Sequence, residues 1–166
     1  MANRIGILSD THLSTCSPAF SRLVGTVFHD CSTIIHAGDI TDVGVLSAFS
    51  DKTLYAVHGN MCSRSVKNYL PESARFSIDG HVIAVCHGAG IRDSLEDTLY
   101  NRFPDADCIV YGHTHRPAQH RYGKILFLNP GSFTGTGRFG APGTYAILES
   151  SKSGLSATIH PLPQPR

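Results

Sequence analysis

Five short apolar runs, each of strand length and each followed at once by small or polar residues, limit most strongly what this 166-residue chain can fold into. They span residues 5–8, 33–37, 53–57, 82–86 and 108–111. Stretches of helical period lie between them, and strand-like runs alternating with helical ones argue for βαβ units and a largely parallel sheet. Parallel strands deliver their C-terminal ends to one edge, and open α/β sheets carry their sites along that edge. The residues just after each run are therefore where function is expected.

The clearest helix covers residues 18–29. Phe20, Leu23, Val24, Val27 and Phe28 fall at i, i+3, i+4, i+7 and i+8, with Ser17 as N-cap and Pro18 in the first helical position. Weaker helices are expected over 42–49, around 63–70 and over 91–101, where Ile91, Leu95 and Leu99 share a face. Beyond residue 75 the pattern turns to hairpins. Residues 75–78 and 81–86 flank the turn Asp79-Gly80, and 118–122 and 124–128 flank Gly123. Residues 145–148 and 156–160 read as closing antiparallel strands. So many strands in so short a chain imply an α/β domain of two mixed sheets face to face with helices outside. Residues 129–143, rich in Gly and holding Pro130 and Pro142, read as a loop. One domain over residues 1–160 is expected, followed by a frayed Pro-rich tail over 161–166.

A net charge of +1 with 16% charged residues leaves no basic surplus for clamping a nucleic-acid backbone, so nucleic acid is not expected as a stable partner. The five cysteines, Cys16, Cys31, Cys62, Cys86 and Cys108, are an odd number and contain no C-x-x-C pair. A reduced, cytoplasmic setting is the simplest reading. The first residues run straight into a strand pattern without a signal core, and no apolar stretch approaches the length of a membrane span.

The strand ends carry candidate metal ligands. Asp10 and His12 follow the first run, Asp39 the second, Asn60 the third, His87 the fourth, and His113 with His115 the fifth. Carboxylate oxygen with imidazole nitrogen suits Mn, Fe, Ni, Co or Zn better than Ca. Each has an ordinary alternative when taken singly. Asp-x-His can be a solvated loop, an Asp after a strand is often the N-cap of the next helix, a histidine ending a strand is commonly packed against the sheet, and Gly-Asn is a turn. Asp42 takes the capping role here and Asp39 the ligand role. The joint order overrides the single readings, because a two-ion site needs about three or four ligands per ion and a shared carboxylate.

Those residues resemble the calcineurin-like metallophosphoesterases, in particular their compact prokaryotic phosphodiesterases, from Ile5 to about Leu148. The resemblance implies a four-layer αββα sandwich. It also implies two divalent transition-metal ions, Mn foremost, with Asp10, His12, Asp39 and His115 on one and Asn60, His87 and His113 on the second, Asp39 bridging. Asn129-Pro130-Gly131-Ser132 is a further family-like string, and Arg138 stands roughly where the family has an arginine. Two departures stand out. Compact relatives read Gly-Asn-Cys-Asp where this chain has Gly59-Asn60-Met61-Cys62, and His-Gly-His where it has His87-Gly88-Ala89.

The mechanism implied is in-line hydrolysis of a small-molecule phosphoester, a diester before a monoester, by a hydroxide held between two ions. His58, Arg64 and Arg138 are candidate stand-ins for the missing acids. A monomer and a small homo-oligomer are both open. The rival from another class is a non-catalytic scaffold, since this fold has a relative that serves in trafficking after losing part of its metal site. A serine or cysteine nucleophile is disfavoured, because the chain holds no Gly-x-Ser-x-Gly and Cys62 has no assigned base.

Overall fold

The structure, a computed structural model, describes residues 2–92, 94–135 and 141–163. Ten strands and three α-helices follow in the order β1 (Asn3–Leu8), α1 (Pro18–Val27), β2 (Thr33–His36), β3 (Thr53–Ala56), α2 (Arg64–Tyr69), β4 (Ser73–Ile78), β5 (His81–Cys86), α3 (Leu95–Arg102), β6 (Cys108–Tyr111), β7 (Ala118–Tyr122), β8 (Ile125–Asn129), β9 (Thr144–Ser151) and β10 (Gly154–Pro161). A 3-10 segment, Val43–Phe49, lies between β2 and β3. One sheet runs β10-β9-β1-β2-β3 and the other β4-β5-β6-β8-β7. Both are mixed. The first has a parallel centre of β1, β2 and β3 edged by the hairpin of β9 and β10, and the second a parallel centre of β5, β6 and β8 edged by antiparallel β4 and β7.

Strand alternation sorts the apolar residues into layers. Ile5 and Ile7 of β1, Ile83 and Val85 of β5, Val110 of β6 and Leu126 and Leu128 of β8 meet between the sheets. Their neighbours face outward. Leu8 and Ile34 pack with Val24 and Phe28 under α1, and Ala84, Ile109 and Phe127 pack with Leu99 under α3. The layers are thus the expected αββα sandwich. Tyr55 of β3 stacks flat on Phe76 of β4, ring centroids 3.6 Å apart, where the two sheets' edges meet.

Helix α1 begins as expected. Ser17 Oγ accepts the Phe20 N–H at 3.1 Å and Pro18 opens the helix, which ends two residues early, at Val27. Asp42 caps its segment by accepting the Gly44 N–H at 2.8 Å. That segment is 3-10 rather than α, with Gly44, a weak helix former, in its first turn. Helix α3 starts at Leu95, four residues later than expected, because Ser94 sits in the left-handed region at φ 46°; Ile91 still packs on its core from the preceding loop. The first residues of the expected tail over 161–166 are ordered, and 164–166 lie outside the described residues. Strand β10 includes Pro161, and the Leu162 N–H donates to Gly143 O at 2.7 Å. Arg138 lies outside the described residues.

Candidate metal centre

The parallel strands of both sheets end on one side of the sandwich, and every candidate ligand sits in the loop that leaves such a strand. Asp10 and His12 follow β1, Asp39 follows β2, Asn60 follows β3, His87 follows β5, and His113 and His115 follow β6. To turn these side chains inward the backbone leaves ordinary strand geometry abruptly. Asp10, His12, Asp39, His113 and His115 all have φ between 48° and 68°. Non-glycine residues in the left-handed region cost of order 1–3 kcal/mol each and persist only where the surroundings impose them. Here the loops are cross-tied. The Asp10 N–H donates to Gly38 O at 2.9 Å, the His12 N–H to Asp39 O at 3.1 Å, and the Phe133 N–H to Ser9 O at 2.9 Å.

Each carboxylate is held by one oxygen and offers the other. Asp10 Oδ2 accepts the Ser9 hydroxyl at 2.6 Å and the His113 N–H at 3.1 Å, which leaves Oδ1 facing His115 Nε2 at 3.1 Å and His12 Nε2 at 3.8 Å. Asp39 Oδ1 accepts the Met61 N–H at 2.9 Å, and its Oδ2 lies 3.3 Å from His87 Nε2 and 3.8 Å from His12 Nε2. Two groups of donors result. Asp10, His12 and His115 form one, and Asp10, Asp39 and His87 the other, each with ligand atoms mutually within 4.8 Å. Asn60 Oδ1 joins the second group at 3.2 Å from His87 Nε2, and the His113 ring stands edge-on to His87 with centroids 5.3 Å apart.

This donor set fits positive ions on its own chemistry. His87 donates its Nδ1–H to Ala37 O at 2.8 Å, so its other nitrogen points into a ring of oxygen acceptors: Asn60 Oδ1 at 3.2 Å, Asp39 Oδ2 at 3.3 Å and Asp10 Oδ1 at 3.8 Å. His12 and His115 bring their Nε2 atoms to within 3.2 Å of each other beside Asp10 Oδ1, and at His87, whose Nδ1 carries the hydrogen, the conflict is plain. Lone pairs facing lone pairs call for a cation, either a proton or a metal. Burial pushes the His87 pKa down, yet the Asp39 hydrogen bond and the charges of Asp10 and Asp39 outweigh it and hold the pKa above the ordinary imidazole value. Burial would raise Asp39, but its hydrogen bond and charge interaction with His87, with the Met61 N–H behind them, keep that carboxyl below the usual range.

Supporting residues surround the donors. Asn129 donates from Nδ2 to Gly112 O at 3.0 Å and Thr114 Oγ1 at 3.1 Å, and Ser132 Oγ donates to Asp10 O at 3.0 Å, so the Asn-Pro-Gly-Ser string does return to the site. Cys62 is buried and its Sγ accepts the Gly59 N–H at 3.1 Å, whereas Met61 is 60% exposed and only its N–H serves the site. His58 is half-buried beside Gly59 in a cavity shared with Asn60 and His87. Arg64 is exposed at the start of α2.

His36 is a member the sequence did not announce. It ends β2 fully buried, accepts the Gly38 N–H on Nδ1 at 3.2 Å and lies 3.2 Å from Thr11 Oγ1. Burial first, then the nearby His87, depress its pKa from 6.5 to about 3. The unfolded chain takes up this proton below pH 6.5 while the folded one refuses it until about pH 3. Its contribution to stability is thus complete above pH 6.5 and declines as pH falls toward 3, at up to about 1.4 kcal/mol per unit. Urea midpoints across this range should fall less steeply in His36→Gln than in the native chain; the difference between the two proteins cancels the opposing trend from His87.

Fold and site together define a metal-dependent phosphoesterase. The Calcineurin-like phosphoesterase superfamily domain matches residues 4–153, and the chain belongs to that superfamily. It is 35% identical over 134 residues to a probable metallophosphoesterase of Methanocaldococcus jannaschii, covering 78% of this chain and 68% of that protein. A phosphodiesterase of the same archaeon is 27% identical over 167 residues, covering 90% and 94%. Among solved structures, Vps29 of Entamoeba histolytica complexed with zinc superposes with a TM-score of 0.76 at 22% identity, over 96% of this chain and 92% of that one, a likeness of fold.

Proposed function

We propose that the chain hydrolyses phosphodiester bonds of small molecules with two divalent ions, Mn the first to test, held in this centre. The observation that carries the reading is the pair of neighbouring Asp/His groups sharing Asp10, with His12 and His115 each about a third exposed beside carboxylates that are almost wholly buried. A substrate can reach the exposed side while the buried side holds its shape. Asp10, His12, Asp39 and His115 would hold one ion, and Asp39, Asn60, His87 and His113 the other; Asp39 is the carboxylate this assignment shares, its Oδ2 lying near both His12 and His87, while Asp10 Oδ1, within 3.8 Å of His12, His115 and His87, borders both groups as well. Such ions supply a nucleophile from water near neutral pH and offset the charge that builds on the phosphoryl oxygens. The protein's own part is orientation: Ser9 and the His113 N–H aim Asp10, Met61 N–H aims Asp39, and Ala37 O fixes the His87 tautomer.

At the two departures neither Met61 nor Ala89 carries an acid, and burial pushes the Cys62 thiol pKa up. The Met61 side chain points to solvent and Ala89 has nothing to donate. The rate on aryl phosphodiesters should therefore fall steeply as the phenol pKa rises. Elemental analysis after loading with Mn should approach two ions per chain, and a series of diaryl phosphates at saturating Mn should give that slope. Failure to turn over any diester would sink the proposal, and a flat slope with chemistry rate-limiting would point to an acid, His58 being the first to replace by Ala.

Cys62 stands where compact relatives carry Asp, and it accepts a hydrogen bond within the Asp39 and Asn60 loops with a soft, neutral atom. Partners of metal ligands commonly change affinity or activity by about 10- to 100-fold. Cys62→Asp should tighten Mn binding or raise turnover by about 10-fold, read by Mn titration and diester assay; no change in either would mean that the sulfur serves equally well. Five free cysteines support a reducing, cytoplasmic setting, and among the described residues no helix is long and apolar enough to cross a membrane.

A further inference from the structure

A cavity of about 450 Å³ opens beside the Asn60 and His87 edge of the centre, a volume in the range of small-molecule sites. Its walls come from both sheets: His58 and Asn60 from the loop after β3 of the first, Glu72 just before β4, Ala89 after β5 and Arg102 of α3 from the second, with Lys67 of α2 from the helix between them. Two observations give it a chemical character. Ala89 contributes no more than a methyl group to its wall. The charges along the wall are also unbalanced. Arg102 is engaged with Glu72, its two terminal nitrogens 3.3 and 3.4 Å from Oε1, and with Ser73 Oγ at 3.3 Å. Lys67 has no carboxylate partner among the described residues; its Nζ donates to Asn60 O at 3.0 Å, an uncharged acceptor, and an ammonium has three N–H to give.

From this we infer that the cavity is a recognition subsite for an ester group bearing a further negative charge, a carboxylate or a second phosphate, received by Lys67. The inference rests on the phosphodiesterase reading above. Catalysis at the donor groups and recognition at Lys67 are then adjoining tasks on one face, linked through Asn60, whose side chain faces His87 while its carbonyl accepts from Lys67. A cation beside the ion site also shields the second negative charge of such a substrate as it approaches.

The test compares two symmetric diesters on the Mn-loaded full chain, bis(4-carboxymethylphenyl) phosphate and bis(4-carbamoylmethylphenyl) phosphate, in which a methylene insulates each ring from its substituent so that the two phenols leave with nearly the same pKa. Symmetry makes the outcome independent of which ester group leaves. The native protein should favour the carboxylated probe by about 10-fold in kcat/KM, roughly what one charge-assisted hydrogen bond contributes. The preference should appear in KM and shrink as salt is raised. Lys67→Gln should bring the ratio of the two probes to about one, and Glu72→Gln, which removes the competing negative charge, should raise it. Opposite movements in two exposed positions are not what general loosening of the fold produces. A native ratio near one, or a ratio that Lys67→Gln leaves unchanged, overturns the subsite while leaving phosphodiester hydrolysis intact. Turnover of neither probe overturns the hydrolysis reading itself, and the subsite with it.

Discussion

Asp39→Ala should remove both ions at once, with Mn content falling from about two per chain to well below one and diester hydrolysis dropping by more than about 100-fold, beyond what a mere partner of a ligand contributes. The reason is position. Asp39 Oδ2 is within 3.8 Å of histidines from both groups, His12 and His87, while its Oδ1 is occupied by the Met61 N–H. Removing the carboxylate also strands that N–H and leaves His87 with less to hold its proton or its ion. By contrast, Asn60→Ala should weaken one ion and spare the other, because Asn60 Oδ1 approaches only the His87 side. Elemental analysis of the two variants beside the native protein separates these outcomes; if Asp39→Ala retained one tightly held ion, its shared position would be refuted.

Gly59→Ala should be almost as damaging without touching a donor atom. A Cβ there would overlap Asp39 Oδ1 and lie 2.7 Å from both the Asp39 nitrogen and His87 Cδ2, so a single methyl group presses on two ligands together. Neither can retreat, since Asp39 is fixed by its left-handed backbone and His87 by its bond to Ala37 O. Overpacking of this kind costs about 1–3 kcal/mol, and the larger share of the damage should fall on the ions, with Mn affinity lowered by at least about 10-fold. Gly25 offers the matching control. It lies in α1 with nothing within 4 Å of its added Cβ, so Gly25→Ala should stabilise by up to about 1 kcal/mol and leave Mn affinity alone. Urea denaturation with Mn titration on both variants distinguishes local crowding from a general intolerance of glycine replacement.

The strand framework was legible because burial writes itself into apolar runs, and the parallel order followed from the helical stretches between them. Ser17 and Asp42 were readable as caps since capping depends on three or four adjacent residues. Long-range facts were harder. Nothing local distinguishes His36 from His87, each ending an apolar strand. His36 faces the helix side, its ring 6.4 Å from that of Phe49 beneath the 3-10 segment, whereas the glycine turn after β2 brings Asp39 round to His87. The left-handed backbone at Asp10, His12, Asp39, His113 and His115 left little mark either: Asp and His enter that region more readily than most residues, but cross-ties between distant loops hold these particular ones there. The late start of α3 likewise follows a left-handed residue, Ser94.

The donors come from both sheets, four residues after strands of the first and three after strands of the second. Ions bound there would act as a rivet through the open edge of the sandwich, drawing together two layers that otherwise touch mainly through the apolar side chains between them. Ligands that bind only the folded form stabilise it in proportion to their concentration and affinity. A fall in available metal would therefore loosen the grip of one sheet on the other as well as silence the chemistry, and the protein's lifetime in the cell would come to follow the supply of the ions it works with.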